Sequence, residues 1–244
     1  MADLLPGLGP WLICALAVVA GTALQRLAGQ GFGMIASPVL ALVAPDWLPA
    51  TILLVGFAVG AGSIASDFRA VVPKDLPPGF AGRLLGAIIA AWIATEVVGK
   101  PILPLIVGGM VWFAVLLSIA GLRLPIMAPT LFGSGTVAGV MGTLTGIGAP
   151  PMAILYANVE ARRSAATQNA FFAFGMVVSI GALIAVGLVG LRHIALAASL
   201  VLLVPPTLWL LRPVAERIGG RSVRPVALSL AALAATVLIL RNWP

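Results

Sequence analysis

The sequence predicts an all-α integral membrane protein built as two inverted repeats, and three observations predict it. First, 61% of the 244 residues are hydrophobic and only 9% are charged, with a mean hydropathy of +1.15. A soluble domain of this size needs far more polar surface. Second, the apolar stretches are continuous and helix-length rather than alternating, which favours a helical bundle over a β-barrel. Third, two glycine-rich interruptions lie between apolar stretches instead of in polar loops. They are Gly29-Gln30-Gly31-Phe32-Gly33, followed by Pro38, and Gly146-Ile147-Gly148-Ala149-Pro150-Pro151. Gly31 aligns with Gly146, and Gly33 with Gly148, at an offset of 115 residues.

About ten helical segments follow from the apolar runs, each bounded by Gly, Pro or a charge as helix ends are. Segment 1 covers Pro10–Ala28, segment 2 is the short Gly33–Ala44, and segment 3 covers Trp47–Ser66. A polar, proline-rich turn runs from Asp67 to Pro78. Segments 4 and 5 cover Gly79–Val98 and Pro101–Ala120. Segment 6 is Ile126–Leu144, and segment 7 is short again, Gly148–Ala157. Segments 8, 9 and 10 cover Ser164–Val189, Ile194–Leu211 and Pro225–Leu240. The 115-residue shift lays the first five segments on the last five, short on short. Residues 1–122 form the first repeat and 123–244 the second, within one membrane domain. Repeats with an odd number of segments must be inverted relative to each other.

Charge sets the expected orientation. With the N-terminus outside, ten basic residues fall on the cytoplasmic side: Arg69, Lys74, Arg83, Arg123, Arg162, Arg163, Arg212, Arg217, Arg221 and Arg224. Three, Lys100, Arg192 and Arg241, fall outside. The positive-inside rule then places both termini outside a plasma (inner) membrane. It also accounts for the net charge of +7 without a nucleic-acid partner. The first residues carry Asp3 and no basic region, so segment 1 is expected to stay in the mature chain.

Segments 2 and 7 would span about 18 Å and about 15 Å as helices, against a hydrocarbon core about 30 Å thick. Neither crosses alone. They pair with segments 1 and 6 as hairpins that turn inside the membrane, or segments 1 and 6 cross fully and the breaks lie nearer the surfaces. Irregular backbone at depth must be buried in protein or line a cavity, so in the hairpin arrangement the two breaks meet near the midplane.

Helix N-termini at such breaks present free N–H groups and the positive end of the dipole, which favours an anion. Gly31, Gly33, Gly146 and Gly148 would let a ligand approach the backbone; the alternative is close helix packing. Gln25, Arg26, Gln30 and Ser37 flank the first break, and Thr143 and Thr145 the second. Arg26 is a deep counter-charge in the hairpin arrangement and a snorkelling residue in the crossing one. Gln168 and Asn169, beside Thr167, either bond a neighbouring helix or contribute to the site. Glu96 reads as half of an interfacial pair with Lys100 rather than a proton carrier, and His193 carries no assignment.

Several function classes are disfavoured. One cysteine, Cys14, excludes a two-cysteine relay, and one histidine argues against a histidine-built metal site. No metal or cofactor is expected. No GxxxxGK[ST] phosphate loop is present, and no nucleophile–base pair or carboxylate pair sits within the segments, so the chain is not expected to be an enzyme.

With its doubled architecture, and with Gly29-Gln30-Gly31-Phe32-Gly33…Pro38 and Gly146-Ile147-Gly148-Ala149-Pro150-Pro151 opening the short segments, the chain resembles the TauE/SafE (TSUP) family over nearly its whole length. It departs by placing Phe32 between glycines and Ala149 where further glycine is usual. The resemblance implies export of sulfite, sulfonates or other small anions. Spacing alone implies only an anion-favouring site. The resulting expectation is a secondary transporter working by alternating access, with a small anionic substrate, a proton or ion as coupling partner, and lipid around it. A passive anion channel is the alternative, ahead of an intramembrane enzyme, and the oligomeric state stays open.

Overall fold

A computed structural model describes residues 4–28, 31–64, 68–211, 213 and 220–243. Gln30, Gly29, Asp67 and much of the Arg212–Arg224 loop lie outside the described residues. Among the described residues every regular element is helical. In chain order they are α1 (Leu8–Ala28), α2 (Phe32–Val43), α3 (Ala50–Ile64), α4 (Leu76–Val97), α5 (Ile102–Ile119), α6 (Ala128–Thr145), α7 (Ala149–Leu155), α8 (Ala161–Ala185), α9 (Leu191–Val201), α10 (Val204–Leu210) and α11 (Gly220–Asn242).

Six helical stretches are long and apolar enough to cross a membrane, among them Leu8–Leu27, Pro73–Val97 and Ile102–Ile119. The surface agrees with that reading. Leu16, Trp92 and Trp209 are more than 70% exposed, which lipid tolerates and water does not. The core runs through α2, α3 and the second break, where Leu40, Ile52, Leu53, Leu144 and Ile147 are fully buried.

Several segment bounds differ from expectation; segment 8 ends at Ala185 rather than Val189, and segment 10 begins at Gly220 rather than Pro225. Segment 9 is interrupted between α9 and α10 at Leu202–Leu203. Pro205 and Pro206 open α10 without N–H groups, and their rings crowd the preceding carbonyls. Segment 4 begins earlier, at Leu76, after a 3-10 turn over Pro73–Asp75. Arg83 therefore lies two turns inside a helix rather than at its mouth. Segment 7 is a helix of only seven residues.

The closest helix pairing is α4 on α6, and glycines create it. A β-carbon on Gly82 would lie 2.8 Å from the Phe132 carbonyl carbon, and one on Gly86 2.8 Å from the Gly139 Cα. A β-carbon on Gly139 would in turn lie 2.7 Å from the Gly86 Cα. Small residues spaced in this way let backbones touch in lipid, where dispersion rather than the hydrophobic effect drives association. The approach draws the α4 face carrying Gly79, Gly82, Arg83 and Gly86 into the bundle.

Candidate site at two helix breaks

The first break ends α1 at Ala28 and starts α2 after Gly31, whose φ of +124° no L side chain adopts comfortably. The second ends α6 in a left-handed Gly146, φ +72°, and starts α7 after Gly148. The two breaks touch. A β-carbon on Gly33 would overlap the Gly146 carbonyl group and lie 3.2 Å from Ile147 Cγ1. The Ser37 hydroxyl, on α2, donates to the Thr145 carbonyl oxygen.

The remaining hydroxyls hold the second break in shape. Thr145 Oγ1 donates to the Met141 carbonyl at 2.7 Å and accepts the Ile147 N–H at 3.3 Å. Thr143 Oγ1 and Ser179 Oγ are 2.6 Å apart, tying α6 to α8. All four hydroxyl residues are fully buried. Ser37, Thr143 and Thr145 are thus internal locks and do not line the cavity beside them.

That cavity has a volume of about 50 Å³. Gln25, Gly31, Gly33, Gly146, Gly148 and Asn169 line it, and so does Arg83, which the charge pattern alone places on the cytoplasmic side. Gln25 reaches across the first break: its Oε1 accepts the Phe32 N–H at 3.3 Å. The two helix starts are not equivalent. In α7 the second and third residues are Pro150 and Pro151, so two N–H donors are missing there. The α2 start keeps its Gly33 and Met34 amides, the latter bonded to the Gly31 carbonyl at 3.1 Å.

Arg83 is 3% exposed. Its guanidinium occupies space that three glycines leave open. A β-carbon on Gly142 would lie 2.8 Å from Cζ, one on Gly175 2.7 Å from Cζ, and one on Gly148 2.5 Å from Nη1. Nη1 donates to the Ala138 carbonyl. Nε is buried without a hydrogen-bond partner. Among the described residues the ion pairs are Lys100–Glu96 and Arg163–Glu160, both exposed, and neither reaches Arg83. Arginine inside a glycine-striped helix face, Gly79-Phe80-Ala81-Gly82-Arg83-Leu84-Leu85-Gly86, was the signal that would have found it.

Among the described residues, several others singled out in the sequence do not line this cavity. Arg26, near the end of α1, is partly buried and does not line the cavity. Gln168 borders a separate, polar cavity of about 320 Å³ with Tyr156 and Arg123, and its Nε2 donates to Ser164 at 2.9 Å. Gln30 is outside the described residues. Glu96 and Lys100 pair at 3.4 Å on the surface. His193 is used structurally: Nδ1 accepts the Gly190 N–H at 2.8 Å, and Nε2 lies 3.2 Å from the Asp46 carbonyl. Asp75, which no sequence motif marks, is a buried carboxylate that accepts the Tyr156 hydroxyl at 2.9 Å. Among the described residues no three His, Cys, Asp or Glu side chains converge as metal ligands.

A family model described as sulfite exporter TauE/SafE matches residues 13–238. No curated protein and no solved structure matches the chain.

Proposed function

The chain belongs to the sulfite exporter TauE/SafE family of membrane transporters, and on that footing we propose that it is a secondary transporter of small sulfur-containing or organic anions, bound where its two helix breaks meet. The observation that carries this reading is the Gly33–Gly146 contact beside a small interior cavity. Two breaks far apart in sequence share one wall of that cavity. Backbone left irregular inside a membrane bundle is tolerated where it serves a cavity.

Alternating access between two inverted repeats, residues 1–122 and 123–244, is the proposed mechanism. The helix contacts support it. α3 packs on α9 as α8 packs on α4, and α2 packs on α11 as α7 packs on α5. Exchanging the halves maps each of these pairs onto the other, as a pseudo-two-fold axis does. In this mechanism the cavity lies near the midplane, both termini face outside the plasma membrane, transport is outward, and a proton or ion gradient drives it.

The test is uptake by inside-out proteoliposomes of the purified protein. Radiolabelled sulfite, a short alkyl sulfonate and acetate are supplied with and without an imposed pH gradient. Saturable uptake of at least one anion, raised by the gradient, is expected. Uptake that never saturates and ignores the gradient would instead describe a channel, and no uptake of any anion would end the reading.

A further inference from the structure

We propose that Arg83 is the anion-binding residue of this cavity, and that it selects monoanionic and dianionic oxyanions of about four heavy atoms, the size of sulfite or a short carboxylate. The inference rests on the transport reading above and names the group that would hold the substrate.

The argument begins with charge. A guanidinium stays protonated at any physiological pH, and Arg83 is 3% exposed. A buried cation is tolerated when an opposite charge and hydrogen bonds compensate it. Here Nη1 has one carbonyl, that of Ala138, and Nε has nothing. Among the described residues no carboxylate pairs with the group. A small anion entering the cavity would supply the missing charge.

The setting fits that role better than it fits simple packing. Three glycines, from α6, the second break and α8, make room for the planar head. A side chain kept only for helix packing would not need room on three sides. An Arg that binds an oxyanion does, because its fork donates along two parallel directions and must be aimed. Asn169 borders the same cavity and brings an amide to it, Gln25 lines it as well, and Phe172 and Met176 close it with apolar surface. Gly33, second residue of the twelve-residue α2, adds the positive end of that helix.

Size follows from volume. The cavity measures about 50 Å³, room for a compact group the size of a small oxyanion and not for an aromatic ring beside it. Sulfite fits; an aryl sulfonate does not.

Binding is measured by titrating the detergent-purified full chain with sodium sulfite at constant ionic strength, using calorimetry and the thermal midpoint. Arg83→Gln is expected to weaken sulfite at least tenfold, with benzenesulfonate at least tenfold weaker than sulfite in the unmodified protein. Arg83→Gln with unchanged sulfite affinity overturns the assignment, and equal affinity for the two anions overturns the size limit. Where Arg83→Gln does not fold, Asn169→Asp decides. A carboxylate built into the cavity should satisfy Arg83, abolish sulfite binding and leave the anion-free thermal midpoint at or above that of the unmodified protein. A lowered midpoint with sulfite binding retained would mean that no cation faces the cavity. Absence of both binding and uptake in the unmodified protein would instead overturn the transport reading, and the Arg83 assignment with it.

Discussion

Gly33 lies against Gly146 so closely that a β-carbon on Gly33 would sit 2.8 Å from the Gly146 carbonyl carbon. Nothing but hydrogen fits between the two breaks at that point. The contact fixes the distance between α2 and the end of α6, and with it the dimensions of the cavity both help to line.

Gly33→Ala should therefore pry the breaks apart. Overpacking of this kind costs about 1–3 kcal/mol, and the cavity wall moves with it. The expected outcome is a loss of sulfite uptake of more than tenfold at matched expression. Gly109 and Gly181 are the controls, because a β-carbon at either meets nothing within 4 Å. Alanine there should leave the uptake rate within about twofold and slightly stabilise its helix. Equal effects at all three positions would mean that the contact is incidental to transport.

Arg26 stands apart from the cavity that Arg83 lines. Arg26→Gln should leave sulfite affinity within about threefold, a change worth less than about 0.7 kcal/mol. A tenfold loss, measured by the same calorimetric titration, would return Arg26 to the site.

The Thr143–Ser179 hydrogen bond, 2.6 Å between fully buried hydroxyls, ties α6 to α8 beside the second break. Thr143→Val leaves the Ser179 hydroxyl without that partner, and an unmet buried group of this kind costs about 1–3 kcal/mol. A lowered thermal midpoint is expected. Thr143→Val with Ser179→Ala together should lose less than the two single changes added, which a double-mutant cycle reads directly.

Orientation is open to labelling. Cys14 is fully buried, so an introduced cysteine should dominate the signal. Lys100→Cys should react with an impermeant thiol reagent in intact cells, and Arg123→Cys only after the cells are opened. The opposite pattern would invert the orientation that the basic residues imply.

Tyr156 donates to the buried Asp75 carboxylate at the start of α4. Tyr156→Phe should lower the thermal midpoint, because the buried carboxylate loses its hydrogen-bond donor, a loss worth about 1–3 kcal/mol. An unchanged midpoint would mean that the ring's packing against Phe171, rather than its hydroxyl, is what Tyr156 contributes.

The sequence by itself determined what depends on neighbours in the chain. Hydropathy over a window selects membrane helices, because each helix meets its own backbone hydrogen bonds and only its side chains face lipid. Glycine and proline end helices by local sterics, so the breaks at Gly31 and Gly146 and the brevity of α2 and α7 were legible, as was the family resemblance they support. What tertiary structure decided is which side chains face the cavity. Arg83 and Arg26 each lie near one end of an apolar segment in the sequence. The α4–α6 approach, made by Gly82, Gly86 and Gly139 on two helices remote in sequence, brings Arg83 to the cavity. The hydroxyls of Ser37, Thr143 and Thr145 were visible as polar atoms near a break. Their use as locks depends on partners contributed by other elements or by the turn itself, and such distances exist only once the helices have packed.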